Sequence, residues 1–175
     1  MTITRTAPPY SADEVTMLRG FLDYFRSTLR RQAEGLDADQ QDTRLSPSPM
    51  TLGGMLKHLT YVEQWWFENV LHGREPRGMW AAVDWEADGD WDWHSATENS
   101  PAELDAMLAE QIAVSDACLE EALADGGLDR LAVRPRGDGS VASLRWILVH
   151  LIEEYARHCG HADLIRESID GATDL

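Results

Sequence analysis

The sequence predicts an all-α protein built as a four-helix bundle. Four stretches repeat apolar residues at alternating spacings of three and four, the period of a helix with one buried face. Helix start and stop signals bound these stretches, and no segment shows a β-strand or βαβ rhythm.

The first helix is expected to begin at Ser11, where Ser-Ala-Asp-Glu has the form of a capping box. It carries Val15, Leu18, Leu22, Phe25 and Leu29 along one face and fades near Gly35. Residues 37–49 are polar and proline-bearing, which predicts a loop. Leu52, Met55, Leu59, Val62, Trp66 and Val70 then mark the second helix, stopped by Gly73. Residues 74–99 have no sustained helical period but hold four of the seven tryptophans, Trp80, Trp85, Trp91 and Trp93. So aromatic a stretch predicts a long ordered loop that could roof a pocket. Ser100-Pro-Ala-Glu103 supplies an N-cap, a proline at the first helical position and a capping-box glutamate. It opens the third helix through Leu104, Leu108, Ile112, Leu119 and Leu123, which Gly126 and Gly127 end. Residues 134–140 read as a turn or short hairpin, and the Arg-Gly-Asp triplet within them as turn chemistry. The fourth helix runs from about residue 142 to about 169.

At 175 residues the chain fits one domain, 1–175, large enough to bury a core without disulfides. Its two cysteines, Cys118 and Cys159, are far apart and outside any CxxC arrangement, so neither a disulfide framework nor a cysteine zinc site is indicated. No apolar leader opens the sequence and no run approaches a membrane span, which predicts a soluble cytoplasmic protein with no membrane partner. A formal net charge of -16 repels phosphate backbones and excludes nucleic acid as an expected partner. Tryptophans outside the core stripes make a homodimer the expected assembly.

The fourth helix carries the chemistry. Leu144, Ile147, Leu151, Glu154, His158, His161 and Ile165 follow one another at three-four spacing, so a carboxylate and two imidazoles sit on a seam that should be apolar. Burying them uncompensated costs several kcal/mol or more, and a divalent cation is the economical compensation. Glu154 and His158 are one turn apart and about 40° around the helix, a chelating geometry. His58, in a row with Met55, Val62 and Trp65 on the second helix, is the natural third ligand. His150 or His161 could replace Glu154. In the preferred arrangement His161 is a substrate-facing neighbour of the ion, His150 a hydrogen-bonded flank, and Trp65 a further substrate contact. Two His and one Glu suit Zn²⁺, Ni²⁺, Fe²⁺ or Mn²⁺, zinc or nickel first, and leave positions open for water and a small-molecule substrate. Glu153, Arg157 and Asp163 should face solvent or a partner subunit, and His72 and His94 should be surface residues. A general base is not named by the sequence.

The 144–167 string LRWILVHLIEEYARHCGHADLIRE, with GMLKHL at 54–59, resembles the DinB/YfiT-like superfamily of metalloenzymes, in particular its actinobacterial mini-circle-protein branch. The resemblance covers nearly the whole chain. It implies an up-down-down-up bundle with a metal held by His58, Glu154 and His158. Many relatives have His where this chain has Glu154; the mycothiol-dependent maleylpyruvate isomerase branch is similar to this chain in having Glu. Relatives usually read His-Arg-Gly-Gln where this chain reads His158-Cys-Gly-His161, so His161 replaces an amide. The resemblance further implies a transferase or isomerase that activates a low-molecular-weight thiol such as mycothiol. A metal-binding or stress-related bundle without thiol chemistry is the alternative, and a metal-free hydrogen-bonded seam is a third.

Overall fold

A computed structural model describes residues 3–173. Six α-helices are α1 (Glu14–Ala33), α2 (Ala38–Gln41), α3 (Leu52–Glu63), α4 (Trp91–His94), α5 (Pro101–Ala124) and α6 (Leu144–Asp170); α3 continues as a π-helix over Gln64–Leu71. Among the described residues there is no β-strand, only a bridge between Leu131 and Ser143 that closes the expected short hairpin. Four long helices form the bundle around a core that includes Leu22, Leu29, Met55, Leu59, Phe67, Leu108, Leu119, Ile147, Leu151 and Tyr155. Among the described residues no helix is long and apolar enough to cross a membrane.

Cross-helix contacts give the topology. Glu14 meets Arg145, the Phe25 carbonyl meets Cys159 and the Gln32 carbonyl meets Arg166, so α1 and α6 run parallel. Glu68 meets Gln111 and His72 meets the Cys118 carbonyl, so α3 with its extension and α5 run parallel. Arg30 pairs with Asp105 and Arg19 with Glu120, which sets α5 antiparallel to α1. The result is the up-down-down-up arrangement. It also explains the long Trp-rich connection: two consecutive parallel helices need a crossover that retraces the bundle. This crossover is ordered by short turns of 3-10 helix at Gly78–Ala82 and Ser95–Glu98 and by α4. Lys57 fastens its far end, donating to the Ser95 carbonyl at 2.9 Å and Asn99 Oδ1 at 2.8 Å beneath the Trp91 ring.

At the bundle centre Arg26, 3% exposed, donates to both carboxylate oxygens of Glu63 at 2.7 and 2.8 Å and to Asp116 at 2.9 Å. The Tyr155 hydroxyl donates to the same Glu63 at 2.9 Å. One network thus joins α1, α3, α5 and α6, and such fully paired buried charge favours one helix register over slipped alternatives.

Several local expectations shift. Asp13 rather than Ser11 caps α1, accepting from the Thr16 backbone, so the helix starts two residues later than Ser11 suggests. Phe25 is only partly buried while Arg26 occupies the seam. Asp37 and Gln40 form an unforeseen capping box that opens α2 inside the polar loop. Ser100 and Glu103 cap α5 as expected, and Ser143 caps α6. Beyond Glu63 the wider π turn moves the buried seam to Phe67, Val70 and Leu71 and leaves Trp66 half-exposed.

Candidate metal centre

Antiparallel α3 and α6 bring His58 opposite Glu154 and His158, one turn apart on their own helix. One ligand atom from each lies within 4.8 Å of the others. The Glu154 Oε1 atom stands 3.5 Å from His58 Nε2 and 3.6 Å from His158 Nε2. Those separations are too long for strong hydrogen bonds. They lie a little beyond the spacing of donors around an ion: donors about 2.0–2.1 Å from a tetrahedral zinc stand about 3.3–3.4 Å apart.

The surroundings prepare these donors. Asp92, buried on α4, lies with Oδ2 2.6 Å from His58 Nδ1. An ionised carboxylate only accepts, so Nδ1 carries the proton and Nε2 is turned toward Glu154, the tautomer a metal-binding imidazole requires. Burial pulls the His58 pKa down, but the short Asp92 hydrogen bond and the nearby Glu154 carboxylate outweigh it and leave the pKa above its usual 6.5. The imidazoles of His158 and His58 hold the Glu154 carboxyl far below the usual carboxylate range. His158 is buried, and its Nδ1 has no hydrogen-bond partner among the described residues. This concentration of negative charge and imidazole nitrogen suits a divalent cation, and a cation would take the place of the proton on His58 Nε2.

Trp93 roofs the site. Its ring stacks on His58 at 4.6 Å and reaches His158 at 5.5 Å. Gly54 makes this approach feasible: a Cβ there would stand 2.8 Å from Trp93 Cε3. Gly54, near the start of α3, is therefore where the aromatic crossover lies down on the bundle.

A model of the mycothiol-S-transferase family matches residues 17–171. The chain belongs to the mycothiol-S-transferase family. Comparison with curated proteins yields no match. Family membership agrees with the resemblance carried by the α3 and α6 strings.

As a chain of the mycothiol-S-transferase family it brings together most, but not all, of the residues picked out from its sequence. His161 adjoins the site, its ring 5.7 Å from that of His158 and its buried Nδ1 without a hydrogen-bond partner among the described residues. His150 lies one turn before Glu154, stacked on Trp146 at 4.9 Å and against Trp66 at 4.8 Å. Trp65 has Tyr61 at 6.2 Å and the Arg134 guanidinium at 5.3 Å as neighbours, beside the crossover tryptophans. Glu153, Arg157 and Asp163 are exposed as expected, and so is His94. His72 is not a surface residue, because its ring is tucked under α5 with Nε2 2.9 Å from the Cys118 carbonyl. Asp92 escaped sequence reasoning altogether. A cavity of about 620 Å³ lies elsewhere, lined by residues that include Arg30, Glu34, Gln41, Leu56 and Asp105, and has no imidazole in its lining.

Proposed function

We propose that this chain is a divalent-metal-dependent S-transferase that uses mycothiol, with His58, Glu154 and His158 holding zinc or nickel. The observation that carries this reading is the trio of donors at metal-ligand spacing in a chain of the mycothiol-S-transferase family. A divalent cation at these donors supplies Lewis acidity that lowers the pKa of a thiol.

The chain's own residues do the rest. Asp92 holds His58 in one tautomer and one orientation. Glu154 offsets charge at the centre, and Trp93 covers the two imidazoles and excludes water from that face. His161, whose pKa is lowered by burial and by neighbouring His158 and Arg157, stays neutral near pH 7 and can accept the proton of the incoming thiol. The thiol sulfur then forms a carbon–sulfur bond to the electrophile, and a leaving group departs with the electron pair of the broken bond. Neither protein cysteine replaces the external thiol. Burial pushes Cys159 up to about 12, and Cys118 is raised by burial as well.

The test is cobalt substitution followed by mycothiol titration, alongside transfer to a chromogenic electrophile. The visible cobalt spectrum should change on adding mycothiol, and transfer should need both metal and thiol. Glu154→Ala should lose metal, whereas His161→Ala should retain it and transfer more slowly. A cobalt spectrum indifferent to excess mycothiol would refute the thiol reading.

A further inference from the structure

His158, Glu154, His150 and Trp146 form one row on α6 at successive four-residue spacings. Along it exposure rises, from buried His158 through half-buried Glu154 and His150 to Trp146, 40% exposed. The Trp146 and His150 rings are nearly parallel, 16° apart, and Trp66 closes the side from the extension of α3, 5.2 Å from Trp146. Arg136, on the hairpin before α6, places its guanidinium 5.7 Å over the Trp146 ring. A row that begins at the metal donors thus ends in a half-open aromatic shelf edged by hydrogen-bond donors.

We infer that Trp66, Trp146 and His150, with Arg136, form the subsite for the sugar and cyclitol end of the thiol. This inference rests on the S-transferase reading and adds to it the residues that recognise the thiol away from sulfur. Mycothiol is an N-acetylcysteine joined through an amide to glucosamine, which is linked in turn to inositol. The C–H faces of such rings pack on aromatic rings, and their hydroxyls accept from a guanidinium. Lengths agree. From Trp146 to Glu154 the helix rises about 12 Å at about 1.5 Å per residue. The chain of bonds from the sulfur to the cyclitol ring extends to roughly 10 Å. Charge agrees as well: a neutral polyol meets no repulsion from a protein of net charge -16, whereas a thiol peptide bearing carboxylates would.

The direct probe is glucosaminyl-inositol, which lacks the cysteine, titrated into metal-free protein and followed by the indole N–H signals. Those of Trp66 and Trp146 should shift, Trp146→Ala should weaken binding about tenfold, and Trp146→Phe, which keeps a ring, should recover most of it. In the metal-loaded enzyme Trp146→Ala should raise KM for mycothiol about tenfold relative to KM for N-acetylcysteine. Unmoved indole signals in a protein that transfers mycothiol would overturn the subsite and leave the transferase reading standing. An equal rise in KM for both thiols would also overturn it and assign the shelf to the electrophile. Conversion of a dimer to a monomer by Trp146→Ala, without any response to the headgroup, would assign the shelf to a second copy of the chain. Headgroup binding at Trp146 with no thiol transfer by wild type would uphold the subsite and remove the transferase reading.

Discussion

Asp92→Ala should weaken metal binding without changing any of the three candidate ligands, His58, Glu154 and His158. The carboxylate is 3% exposed and 2.6 Å from His58 Nδ1, so its removal frees the ring to turn and takes away the charge that makes Nε2 a better donor. Loss of such a partner costs about 10–100-fold in metal affinity, about 1.4–2.8 kcal/mol. Asp92→Ala belongs at the upper end of that range, because it removes both the acceptor and the charge. Asp92→Asn keeps an acceptor oxygen near Nδ1 but not the charge, and belongs at the lower end. Competition for zinc against a chromophoric chelator at fixed pH measures both, with circular dichroism confirming that the variants fold. A second readout needs no metal: without the Asp92 hydrogen bond, the His58 pKa should fall, seen as an earlier ring-proton titration by NMR. Zinc affinity in Asp92→Ala equal to wild type would refute the argument that this carboxylate prepares the site.

Two further outcomes follow from groups at and near the centre. Glu63→Ala leaves buried Arg26 without its bidentate partner and should cost about 3–5 kcal/mol in urea unfolding, whereas the paired apolar replacement Arg26→Met with Glu63→Leu should recover much of that loss. The His58 pKa is raised above 6.5, so its contribution to the metal-free fold is complete below that pH and is lost as pH climbs through the raised value. The Glu154 pKa is lowered, so its contribution is present above 4.5 and lost only in stronger acid. The excess in Tm of metal-free wild type over His58→Gln should therefore be largest between these two values and shrink toward alkaline pH. A constant excess would contradict the assignment.

Much of this site was legible because polarity stood where periodicity demanded apolar residues. Glu154, His158 and His161 interrupt an otherwise apolar row on α6, and His58 lies in a three-four row on α3, so the convergence of His58 with Glu154 and His158 needed only the antiparallel packing of the two helices. Arg26 carried the same signal, spaced four residues from Leu22 and three from Leu29, and could have been read in the same way. Asp92 could not: it shares the stretch from Asp84 to Asp92 with four other acidic residues, and only the crossover's path selects it for burial. Trp66 fell on the predicted stripe, yet the π-helix after Glu63 breaks the period on which that stripe depends and turns the ring toward His150. The parallel arrangement of α3 and α5 lies in no local pattern, although a crossover of this length is its physical consequence.

Elemental analysis of the purified, tag-free protein, beside His58→Ala prepared identically, tests the metal centre most directly. The account predicts about one transition-metal ion per wild-type chain and little in the variant. Wild-type protein that binds neither zinc nor nickel after reconstitution would contradict it.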